Sequence, residues 1–127
     1  MTLKEYFHNT EGLCVLATAD SGGVVDQAVY STPYVVDEAT VAFIMLDRLS
    51  HANLGSNPHA AVLFIERGAD SRGTRLFLTR IREEDDQDVV ERFRAETDYY
   101  LPKGDDRKRF LVYFHVDKAL PLYSWQE

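Results

Sequence analysis

Residues 40–65 read TVAFIMLDRLSHANLGSNPHAAVLFI. The two apolar ends, TVAFIML and AAVLFI, are short and rich in β-branched and aromatic residues, and they read as buried strands. Between them the chain turns polar at 47–53, and Asn57-Pro58 supplies a stop signal. Ser50 is the expected N-cap of a short helix over 50–56, its hydroxyl accepting from an amide two or three residues on. A helix start carries unpaired N–H groups and the positive end of a dipole, so the segment is a candidate cradle for a phosphate or carboxylate. Arg48, two residues upstream, adds a planar charged fork. His51 falls at the expected first helical position and Asn53 at the third, both close to any bound anion. The plain alternative is a capped connector between two core strands with a solvated arginine.

Working outward toward the N-terminus, a short helix is expected over Leu3 to Asn9, with Thr2 as its cap and Glu5 at the capping-box position. LCVLATA (13–19) is a first strand, and Asp20-Ser21-Gly22-Gly23 a turn. VVDQAVYSTPYVV (24–36) is a long second strand interrupted at Ser31-Thr32-Pro33. Proline cannot donate to a ladder, so Pro33 implies a bulge, a bend or an edge position. The stretch 40–46 is then the third strand and 59–67 the fourth.

Toward the C-terminus, 68–73 is a polar loop and TRLFLTRIR (74–82) a half-exposed fifth strand. EEDDQD (83–88) is acidic, and Val89, Val90, Phe93 and Thr97 follow at helical spacing over 89–100. Acidic residues at a helix start complement its dipole, which accounts for the run better than a metal site does. Residues 107–116, with FLVYFHV at their centre, are a sixth strand, and the tail ends on Tyr123 and Trp125. Most connections are hairpin length, so the expected architecture is mainly β: six antiparallel strands closed into a small barrel with small helices.

At 127 residues the chain is expected to form one domain over 1–127. A formal charge of −7 argues against a general nucleic-acid binder, which needs a basic surface for counterion release. No apolar run approaches the roughly 20 residues of a membrane span. With one cysteine, Cys14, and no basic-then-apolar leader, a cytoplasmic setting is expected. The histidines His8, His51, His59 and His115 have no i, i+4 partner and there is no cysteine pair, so no metal site is read. No nucleophile elbow, phosphate-binding glycine loop or catalytic acid or base is legible.

The order LCVLATA–turn–VVDQAVYSTPYVV–turn–TVAFIML–RLSHANLGSNP–HAAVLFIE, followed by RLFLTRI, an acidic helix, FLVYFHV and a terminal tryptophan, resembles the pyridoxamine 5′-phosphate oxidase-like, FMN-binding split barrels. The resemblance runs from Gly12 to Trp125. It implies a homodimer with FMN at the subunit interface and an oxidoreductase of the flavin reductase or electron-transfer type, acting on a small-molecule substrate or a redox partner. It implies that Tyr30, Ser31 and Thr32 line the flavin ring, that Met45 and Leu46 end a strand beside the ring or ribityl chain, and that Arg48, Ser50, His51 and Asn53 hold the phosphate. Trp125 would close the site from a partner's C-terminal region. Many members carry an Arg-Lys pair eight or nine residues before the proline, where this chain has Leu49 and Ser50. Two further readings share the fold: a haem- or other cofactor-handling protein, and a dimeric non-enzymatic domain with a decayed flavin site.

Overall fold

A computed structural model describes residues 1–68, 71–97 and 99–127. In chain order its elements are α1 (Leu3–His8), β1 (Gly12–Ala19), β2 (Val25–Tyr30), β3 (Tyr34–Asp37), β4 (Thr40–Leu46), α2 (Leu49–Ser56), β5 (His59–Glu66), β6 (Gly73–Glu84), α3 (Gln87–Ala95) and β7 (Arg109–Pro121), with a 3-10 turn at Ser124–Gln126. The strands form one antiparallel sheet in the order β2-β1-β5-β6-β7-β4-β3. Its two edge strands, β2 and β3, are consecutive in the chain, with only 31–33 between them. Lying flat, a sheet of this order would hold its edges roughly 29 Å apart. A connector of that length reaches about 14 Å at most. The sheet therefore curls until its edges approach, giving an antiparallel barrel with a seam between β2 and β3.

Among the described residues the strand count is seven rather than six. The expected second strand over 24–36 is two strands, because the chain leaves the ladder at Ser31-Thr32-Pro33 and resumes on the far side of the seam. The fifth expected strand, 74–82, extends to Glu84, so Glu83 and Glu84 belong to β6 and not to a helix start. The sixth, expected over 107–116, runs on to Pro121, since its last residues pair with the start of β6 from Thr74 to Phe77. The helix expected over 89–100 is α3 at Gln87–Ala95, capped by Asp86, whose side chain accepts from the Asp88 amide at 2.9 Å. Ala69 and Asp70 of the expected loop and Asp98 of the expected helix lie outside the described residues.

Alternation explains the core. On β1, Cys14, Leu16 and Thr18 point inward and are buried, as do Val62 and Phe64 on β5. On β4 nearly every residue is buried, because both of its faces are covered: Val41, Phe43 and Met45 enter the barrel, and Ala42 and Ile44 lie under α3 with Val90, Leu111 and Tyr113. That is why TVAFIML is continuously apolar rather than alternating. α1 has the predicted capping box at Thr2 and Glu5 and buries Phe7. α2 lies against β1, β2 and β4, and so bridges the seam. No described helix is long and apolar enough to cross a membrane.

Candidate functional site

The first turn of α2 differs from its expected form. Arg48, not Ser50, is the N-cap residue, and no side chain caps the helix. The cause is the pattern Ser50, Asn53, Leu54, all buried at i, i+3 and i+4. To turn that stripe toward the barrel, Ser50 must lie within the helix. Its hydroxyl is 3.5 Å from Asp26 Oδ2 on β2, and Tyr30 lies beside it. Asn53, far from a helix surface residue, is 5% exposed and donates from Nδ2 to Thr18 Oγ1 on β1 at 3.0 Å. Both polar side chains thus tie α2 to the β1–β2 side of the seam.

His51 is occupied on both sides of its ring. Nδ1 lies 2.8 Å from Asp47 Oδ1, Nε2 lies 2.7 Å from Glu83 Oε2, and the ring stacks on Phe110 at 4.1 Å. The histidine therefore joins the first turn of α2 to β6 and β7. Glu83 also lies 3.7 Å from Arg80.

Facing outward at this helix start are backbone, the Arg48 guanidinium, the Leu49 side chain and the Asp47 carboxylate that His51 holds. The Ala52 amide is the first in the helix to find a carbonyl, that of Arg48, at 3.0 Å. The amides of Leu49, Ser50 and His51 precede any intrahelical acceptor, as the first turn of a helix requires. Arg48 is exposed and enters no ion pair among the described residues. An uncapped helix start with a solvated guanidinium beside it has the donor chemistry for a phosphate. Ser50, by contrast, spends its hydroxyl inward, and Asp26 behind it is a carboxylate.

The other expected site residues fall around the seam. Tyr30 ends β2 with its ring edge-on to Phe43 at 5.8 Å, and burial pushes its hydroxyl above the ordinary tyrosine range. Ser31 and Thr32 form the connector and, with Tyr34, Phe43 and Phe93, line a narrow cleft. Met45 is 1% exposed and packs into the barrel core, and Leu46 is half-buried at the end of β4. Trp125 stands apart: it is 72% exposed in the C-terminal turn and stacks on Tyr123 at 5.5 Å. Within one chain the structure gathers Tyr30, Ser31, Thr32, Leu46, Arg48 and Ser50 around one seam and leaves Trp125 outside it.

Several residues of this region escaped sequence reading. Asp26 and Thr18 were detectable by strand period, since Asp26 shares a face with Tyr30 and Thr18 one with Cys14 and Leu16. Glu83 and Phe110 carried no local signal, because both reach His51 from strands distant in sequence.

No protein-family profile matches the chain, and no curated protein is similar to it in sequence. Solved structures do share its fold. An FMN-binding protein from Syntrophomonas wolfei subsp. wolfei is 18% identical with a TM-score of 0.76, over 94% of this chain and 83% of that one. An F420 reductase is 14% identical with a TM-score of 0.70, over 94% and 98%. The flavin reductase of the styrene monooxygenase from Pseudomonas putida S12 is 11% identical with a TM-score of 0.56, over 93% and 83%. At these identities the likeness is one of fold. The chain has the pyridoxamine 5′-phosphate oxidase-like split-barrel fold.

Proposed function

We propose that this chain binds FMN at the barrel seam and serves as a flavin-dependent oxidoreductase of the flavin reductase or electron-transfer type. The observation that carries the reading is the uncapped start of α2, with exposed Arg48, at the seam that Ser31 and Thr32 span. The phosphate would take the amides of Leu49, Ser50 and His51 and the Arg48 guanidinium. Tyr30, Ser31 and Thr32 would present backbone and polar side chains to the ring, and Leu46 an apolar edge. Ser50 and Asn53 fix the helix to β2 and β1, and Met45 supports the strand beneath it. FMN, when bound, supplies hydride or single-electron transfer, and the protein's part is to hold and orient it.

A homodimer fits this reading. Leu13, Val29, Leu63 and Ile65 are exposed on the outer face of β1, β2 and β5, where register places Leu13 beside Ile65 and Val15 between Val29 and Leu63. A contiguous apolar sheet face of this kind is a docking surface, and a second copy would cover it. Such a copy also gives Trp125 a route to a neighbouring site. The small molecule reduced or oxidised, and a cytoplasmic setting, remain part of the proposal.

Titrating the protein into FMN and following flavin fluorescence tests the reading. Saturable quenching with one flavin per chain supports it. Fluorescence that stays at the level of free FMN throughout refutes it.

A further inference from the structure

A cavity of about 570 Å³ opens between α1, β3 and the connector at 31–33, away from the start of α2. That volume falls in the range of small-molecule sites, roughly 300–1,000 Å³. Its floor is apolar: Phe7, Pro33 and Val35 are buried there. The Tyr34 ring gives it a flat aromatic wall, itself set edge-on against Phe93 at 4.8 Å. The floor and wall suit a planar apolar body.

Its rim decides the charge of the occupant. Glu11 and Glu96 lie on the rim, but each already has a partner: Glu11 accepts from Arg67 Nη1 at 3.2 Å, and Glu96 accepts from the Tyr34 hydroxyl at 2.9 Å. Lys4 and His8 also line it, one turn apart on the same face of α1, and their side chains have no hydrogen bond or ion pair among the described residues. Lys4 is therefore a rim cation without a carboxylate partner, and the His8 ring offers a hydrogen-bond donor beside it. A phosphate dianion is a poor match, because two carboxylates share the rim and the one guanidinium is engaged.

We propose that this cavity binds a small aromatic carboxylate, its ring on Phe7, Pro33 and Tyr34 and its carboxylate on Lys4, with His8 as second donor. The proposal stands whether or not a flavin binds at the seam. Thr32 and Tyr34 line both this cavity and the narrow cleft at the seam, so an occupant here would abut the proposed flavin face. That consequence alone rests on the flavin reading.

The test uses the full-length protein, with benzoate as probe and benzamide and inorganic phosphate as controls, followed by NMR shifts of the Phe7 and Tyr34 ring protons. Saturable benzoate binding is expected, with benzamide and phosphate each at least about tenfold weaker. Lys4 and His8 are exposed, so the K4A/H8A double variant keeps its fold. It should bind benzoate roughly tenfold or more weakly and benzamide unchanged, which is the loss of one charge-assisted contact. No saturable benzoate shift, benzamide binding equal to benzoate, phosphate binding equal to benzoate, or an unaltered K4A/H8A variant would each overturn the proposal.

Discussion

His51 Nε2 lies 2.7 Å from Glu83 Oε2, joining residues 32 apart in sequence, and this contact fixes the first turn of α2 against β6. The same ring holds Asp47 and stacks on Phe110, so one side chain gathers a loop and two strands. Replacing His51 by Ala should cost about 1–3 kcal/mol of stability, since it frees two carboxylates and uncovers an aromatic ring. Glu83→Ala should cost less, because Glu83 is only partly buried. The two losses should not add, because they remove one shared interaction. Urea midpoints of the two single variants and the double variant check this. Additive losses would show that the contact is not coupled.

The buried pair Asn53 and Thr18 makes a second prediction. Asn53→Leu removes the donor and leaves the Thr18 hydroxyl buried beside an apolar group, at a cost of roughly 1–3 kcal/mol. Adding Thr18→Val to that variant should recover part of the loss, because an apolar pair needs no partner. Thermal unfolding of the three variants is the measurement. A double variant less stable than Asn53→Leu would contradict the assignment.

Arg48 and Ser50 should separate in ligand binding, although they are near neighbours. Arg48→Ala is expected to weaken FMN by about tenfold or more and to leave riboflavin nearly unchanged, as expected for a lost charge-assisted phosphate contact. Ser50→Ala acts on the packing of α2 against Asp26, so it should weaken both ligands alike. Equilibrium dialysis with the two flavins distinguishes them. Equal loss of FMN and riboflavin in the Arg48 variant would remove that residue from the phosphate.

Asp105 governs an acid limb of stability. The Arg107 side chain, the Arg107 amide and the Arg109 guanidinium, with contacts of 2.7, 3.1 and 2.9 Å, hold its carboxyl well below the usual range. A group depressed in the folded state contributes stability above its unfolded value, about 3.9, and loses it as pH falls through the folded value. Asp105→Asn should therefore be less stable than the parent at neutral pH. The gap should close as the pH falls below about 4. Chemical denaturation at a series of pH values checks it, and a gap independent of pH would contradict it.

How much of this was legible in the sequence depended on distance along the chain. The short apolar runs within 13–19, 40–46 and 59–67 placed three strands to within a residue of Gly12–Ala19, Thr40–Leu46 and His59–Glu66, because burial writes itself into local pattern. The break at Pro33 was visible, but its meaning was not: whether a strand bends or stops depends on which neighbour it pairs with. Ser50 looked like a cap because serine at a helix start usually is one. The stripe of Ser50, Asn53 and Leu54 overruled that preference by turning all three inward. Contacts such as Asn53 with Thr18, or His51 with Glu83, arise only when the sheet closes, and no local window contains both partners.

The most direct test of a flavin site at the seam is the visible spectrum of the protein after equilibration with FMN and passage through a gel-filtration column. Flavin absorption should co-elute with the protein at about one FMN per chain. A protein that emerges colourless, with all FMN in the small-molecule fraction at concentrations well above micromolar, would contradict a flavin site there.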